Sequence, residues 1–242
     1  IIAGNLLRSG QSLPGQQGLG ILLSGLPGVP AAAVVIVGAG VVGSNAARAF
    51  AGMGAAVTVG GRDIPRLRQI DERWNGRITT MLANEFNLKG AVQFADVLVG
   101  AVLDPGKRAP ILISREMVRS MRPGSVIIDF SIDEGGCIET SRPTTLRDPF
   151  YMAEGVIHHC VPNVTSAVAR TTSYAITNAA LPYLLTIGEA GLLGAVQKRT
   201  ALLRGVVLYH GKLTHPDIAA TLNREVAVHL SPGGSAFKEI LR

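Results

Sequence analysis

The chain has 242 residues, with 23 Lys and Arg against 17 Asp and Glu for a net charge of +6, and it is 47% hydrophobic but only 17% charged. That charged fraction lies well below the roughly 25% of an average soluble domain. It excludes a disordered chain and leaves ample apolar sequence for one large or two modest cores. No uninterrupted apolar run reaches the roughly 20 residues of a bilayer span, so no membrane span is expected. Cys137 and Cys160 cannot build a disulfide scaffold, which points to a reducing, cytoplasmic compartment.

Residues 1–25 read as a lead-in: a helix tail over Ile1 to Arg8, a Gly-, Pro- and Gln-rich loop over Gly10 to Gly18, and a short apolar run, Leu19 to Leu23. A regular pattern follows. Val34-Val35-Ile36-Val37 is a β-branched run that predicts a buried strand, and Val41 to Met53 carries apolar residues at helical spacing. Ala55 to Val59 is the second strand, Pro65 to Trp74 the second helix, Ala95 to Gly100 the third strand and Ser114 to Ser120 a short helix. Ser125 to Asp129 and Val156 to Val161 complete the strands. Alternating strands and helices imply an α/β fold: a doubly wound parallel sheet of the Rossmann kind over residues 26–170. Beyond Thr171 the pattern is helical and predicts no strand: Ser173 to Glu189 with a kink at Pro182, Gly191 to Leu203, and Pro216 to Leu230. Residues 171–242 therefore read as flanking helical segments of an incomplete second domain.

Gly38-Ala39-Gly40-Val41-Val42-Gly43 has the spacing G-x-G-x-x-G, directly after a predicted strand and opening a predicted helix. In that context the first glycine permits a tight turn. The second lets the backbone approach a pyrophosphate, and the third lets helix pack on strand. The free N–H groups and dipole of the helix start complete an anion site. About 20 residues further on, an NAD site places a carboxylate on the adenosine ribose. Here that position is Gly61, followed by Arg62, a pair that leaves room and supplies a guanidinium for a 2′-phosphate. NADP is therefore favoured, with NAD as second choice if Asp63 binds the ribose in a shifted register. Arg62, Arg66, Arg68, Arg73 and Arg77 form the densest basic set, but Asp63, Asp71 and Glu72 dilute it and no aromatic stripe accompanies it. A nucleic-acid partner is not expected.

Further segments carry a more specific resemblance. Gly100-Ala101-Val102-Leu103-Asp104-Pro105-Gly106, Met121-Arg122-Pro123-Gly124-Ser125, Ile132-Asp133-Glu134-Gly135-Gly136-Cys137, Ser141-Arg142-Pro143-Thr144-Thr145, Cys160-Val161-Pro162-Asn163 and Thr171-Thr172-Ser173-Tyr174-Ala175 occur in that order. In these the chain resembles the alanine dehydrogenase and transhydrogenase alpha-subunit family, and alanine dehydrogenase more closely. The resemblance implies an oxidoreductase that moves hydride between a nicotinamide cofactor and an amino acid/oxo acid or imine pair. It places Val102, Leu103 and Phe130 along the cofactor, and Asp133 and Asn163 at its nicotinamide end as the catalytic candidates.

It also implies that the substrate-carboxylate arginine, the catalytic lysine and the acid/base histidine lie in an N-terminal half preceding this chain, which is then expected to be a piece of a longer protein. Leu181, Leu184, Leu185, Leu192 and Leu193 of the tail would pack on that half, on further copies in a homo-oligomer, or on a partner chain. His158 and His159 sit in an apolar strand and read as structural, and His210, His215 and His229 show no metal-ligand spacing, so no metal is expected. Two alternatives remain beside the enzyme: a non-catalytic dinucleotide-binding or regulatory subunit, and a transhydrogenase-like docking domain.

Overall fold

The computed structural model describes residues 1–9, 17–209 and 211–226. Most of the loop expected from Gly10, together with His210, His229 and the end of the last expected helix, falls outside the described residues. The chain divides into two compact units, Ile1–Asp104 with Arg108–Val164, and Pro105–Lys107 with Thr165–Arg242.

The first unit contains seven strands: β1 (Ala33–Val37), β2 (Ala56–Gly61), β3 (Thr79–Leu82), β4 (Val97–Gly100), β5 (Val126–Asp129), β6 (Phe150–Ala153) and β7 (Val156–His159). Its helices are α1 (Ile2–Leu6), α2 (Val41–Gly52), α3 (Ile64–Trp74), α4 (Glu85–Phe94) and α5 (Arg115–Arg119). The strands order as β3-β2-β1-β4-β5-β7-β6, parallel throughout except that β6 runs antiparallel to β7. This is the doubly wound sheet expected from the sequence. Alternation along the strands sorts side chains to two faces. Val34, Ile36, Val57, Val97 and Val99 pack with Ala47, Phe50, Leu67 and Ile70 of α2 and α3. Val35, Val37, Leu98 and Ile127 pack with Leu88, Val92, Met117 and Val118 of α4 and α5. Burial on both faces is why these strands read as continuous β-branched runs.

The structure adds β3, α4 and β6, which the pattern does not predict. It also draws the lead-in into the sheet unit: Ala3, Leu6, Leu7 and Leu23 are buried in the first of the two cores. The unit ends at Val164, short of the expected 170.

In the second unit α6 (Ala169–Lys198) precedes α7 (Thr200–Gly205), a hairpin of β8 (Leu208–Tyr209) and β9 (Lys212–Leu213), and α8 (Pro216–Thr221). Two expectations are corrected here. The region has a hairpin of its own, and Pro182 stays in helical conformation; the break in α6 falls at Gly191 (φ 66°, ψ 168°), where the sequence pattern also ends one helix and begins the next. The last helix also stops at Thr221, well before Leu230. The helical stretch Val164–Lys198 contains an 18-residue window of mean hydropathy 1.5, long and apolar enough to cross a membrane by length and composition. Core helices of soluble proteins pass the same test. No uninterrupted apolar run marks it in the sequence, because Arg170, Thr171, Thr172 and Glu189 punctuate it.

Candidate functional site

In an open α/β sheet, ligands bind beyond the carboxyl ends of the strands where the winding reverses, here between β1 and β4. The site residues expected from the sequence all fall at such ends: Gly38–Gly43 after β1, Gly61 and Arg62 at the end of β2, Val102 and Leu103 after β4, Phe130 and Asp133 after β5, and Asn163 after β7.

The three glycines have different reasons to be glycine. Gly38 has φ 119°, and a Cβ there would collide with the Ala101 carbonyl oxygen; a Cβ on Gly43 would collide with the Gly38 carbonyl. Those two are demanded by the protein's own packing. A Cβ on Gly40 would meet nothing within 4 Å. The opening above Gly40 is therefore not needed by the fold, and it lies at the start of α2, whose N-cap, Gly40 itself, supplies no side-chain hydrogen bond and whose first turn has no acid. Val41 and Val42 on that turn are exposed. A free helix N-terminus beneath an open glycine suits a dinucleotide pyrophosphate.

At the end of β2, Gly61 is buried, and a side chain there would start 2.9 Å from Ala39 Cβ and 3.1 Å from Leu67 Cδ2. Arg62 beside it is exposed. Asp63 is the N-cap of α3: its carboxylate accepts from Arg66 N at 3.1 Å and pairs with Arg66 Nε at 3.2 Å. Asp63 followed by Pro65 is a helix-start signal that the sequence reading leaves unused.

The opposite end is built by Asp129. Its buried carboxylate accepts from Ser131 N at 2.9 Å and Cys137 N at 3.1 Å, which shapes the 3-10 turn Phe130–Glu134. Gly135, in the left-handed region at φ 98°, ends that turn. Val102 N donates to Ser131 Oγ at 2.9 Å, tying the loop after β4 to the turn. Asp133 on the turn is exposed, and Asn163 N donates to its two carboxylate oxygens at 3.3 and 3.4 Å. The two catalytic candidates, 30 residues apart, are thus brought together. Burial, then the neighbouring Asp133 charge, raises the Glu134 carboxyl above its ordinary range. Phe130 is half-buried and packs partly against the sheet core, while Leu103 is exposed.

Buried titratable groups elsewhere serve the fold. His158 donates from Nδ1 to the Val156 carbonyl at 2.9 Å, which leaves Nε2 to accept from Thr140 Oγ1 at 2.8 Å. Burial lowers the affinity of both His158 and His159 for a proton. Cys137 and Cys160 are free and buried, and burial raises both thiols, so neither is a ready nucleophile. Among the described residues, no group of three or more His, Cys, Asp or Glu could hold a metal ion.

Fold and site together define a dinucleotide-binding α/β domain of the oxidoreductase kind. Residues 9–216 match the family described as alanine dehydrogenase/PNT, C-terminal domain, and the chain belongs to that family. It is similar to the alanine dehydrogenases of Methanococcus maripaludis (51% identical over 203 residues, 84% of this chain and 54% of the relative) and Halomonas elongata (46% over 210 residues, 87% and 57%). Among solved structures, an L-alanine dehydrogenase superposes with TM-score 0.79 at 38% identity, covering 92% of this chain and 60% of that one. The transhydrogenase from Sinorhizobium meliloti gives 0.63 at 26%, covering 78% and 51%. The chain spans about half the length of the curated relatives it matches.

Proposed function

We propose that this chain is the cofactor-binding half of a cytoplasmic oxidoreductase that interconverts an amino acid with its oxo acid, or a related imine pair, and prefers NADP(H). The observation that carries it is the convergence of the open Gly40, the uncapped start of α2 and the Asp133–Asn163 pair at the same edge of one sheet. A bound nicotinamide supplies the hydride donor or acceptor. The residues of this chain do the rest of the holding. Gly38, Gly40 and Gly43 seat the pyrophosphate, Arg62 meets the 2′-phosphate, and Val102, Leu103 and Phe130 flank the groove. Asp133, oriented by Asn163 N, keeps lone pairs for a ribose hydroxyl and for positive charge on a reacting nitrogen.

The test is an assay with both cofactors and a panel of amino and oxo acids. This chain alone should bind dinucleotide without detectable turnover. In the complete protein, Asp133→Asn should lower turnover by more than about 100-fold while folding is unchanged. Normal turnover by that variant would make Asp133 structural. The second reading, a non-catalytic domain that docks on another nucleotide-binding subunit, draws on the likeness to the transhydrogenase and on the exposed apolar side of α6.

A further inference from the structure

A groove between α2 and α3 opens at the phosphate-facing loop, with Ala39, Gly40 and Val41 at its mouth and Arg48, Arg66, Arg73 and Trp74 along its walls. No acid lines it. Arg66, Gln69 and Arg73 recur at helical spacing, so α3 turns one face with two guanidinium groups into the groove, and Arg48 of α2 adds a third. Arg66 is paired with Asp63, which does not line the groove, and the three guanidinium groups together make its surface positive and attractive to an anion.

The Asp63–Arg66 pair is more than half exposed on the arginine side, where such pairs add little stability. Its geometry is more telling. Asp63 pairs with Arg66 at Nε, 3.2 Å away, and a guanidinium has further donors on its terminal nitrogens. Arg66 engages both Asp63 oxygens, through N and through Nε, so Asp63 caps α3 and holds the Arg66 side chain in place.

We infer that the mouth of this groove is the seat of the cofactor's 2′-phosphate, with Arg66 the second clamping residue beside Arg62 and Asp63 the residue that positions Arg66. Arg48 and Arg73 raise the local potential without touching the phosphate. This rests on the NADP(H) reading above.

The experiment titrates the full chain with NADPH, NADH and 2′,5′-ADP by fluorescence and calorimetry. Arg66→Gln should weaken NADPH and 2′,5′-ADP by about tenfold or more and leave NADH within about twofold. Arg66→Lys should recover only part of the loss, because an ammonium lacks the fork. Asp63→Asn, which keeps the cap, should leave NADH unchanged. Retention of full NADPH preference in Arg66→Gln, or equal loss of both cofactors, overturns the inference while the NADP(H) reading stands. A selective loss of NADH in Asp63→Asn also overturns it. Wild-type binding that favours NADH overturns the reading itself, and the inference with it.

Discussion

The two units of this chain treat their apolar residues in opposite ways. In β1, β4, β5 and β7 nearly every residue is buried, and helices cover both sheet faces. In α6, a helix of 30 residues, only Ala195 and Val196 are buried, and Tyr174, Ile176, Leu181, Leu184 and Leu185 face outward. The sheet unit closes its own core. The second unit carries apolar side chains that the described residues leave exposed, as expected of a segment made to pack on something else.

The contrast can be broken in several places, beginning where the effect is largest. Gly43→Ala drives a Cβ into the Gly38 carbonyl and should cost about 3 kcal/mol or more; a native-like melt would show that the glycine loop is not tied to the sheet. Ile36→Ala, at a fully buried site, should cost about 2–5 kcal/mol in urea titration. The buried histidines set a pH dependence. His158 and His159 have folded-state pKa values below the ordinary one, so the unfolded chain takes up protons first as pH falls. The stability they contribute is complete above about pH 6.5 and is lost below it, by at most about 1.4 kcal/mol per pH unit for each histidine. Denaturant melts between pH 5 and 8 read that slope, and a flat profile contradicts it. Smallest of all, Leu184→Ser should change stability by no more than about 0.5 kcal/mol while reducing self-association in sedimentation. Destabilisation on the scale of Ile36→Ala would mean that α6 is buried in solution.

What the sequence reveals follows the same division. The central strands are legible because burial on both faces demands unbroken apolar runs, as in Val34 to Val37. The edge strands β3 and β6 are not, since Thr79–Leu82 and Phe150–Ala153 are only partly buried and lack both a run and a clean alternation. Helix α4 goes unpredicted, although Asn84 as cap and the spacing of Leu88, Ala91 and Val92 mark it. At the site, Gly38, Gly40 and Gly43 announce themselves by spacing. The bonds of Asp129 to Ser131 and Cys137, and of Val102 to Ser131, join residues through folding and carry no local signal. Spacing also cannot distinguish Gly40, which faces open space, from Gly38 and Gly43, which the fold itself requires.

That distinction supports the most direct test of a ligand site built into the sheet unit. Gly40→Val places a branched side chain where the structure leaves room and where the backbone, at φ −77°, accepts it. Because valine is a poorer N-cap than glycine, thermal melts of the chain and of this variant should agree within about 4 °C without ligand. Saturating NADPH should then raise the midpoint of the unaltered chain and leave that of Gly40→Val where it was. An equal rise in both, or none in the unaltered chain, would contradict a dinucleotide seat at the start of α2.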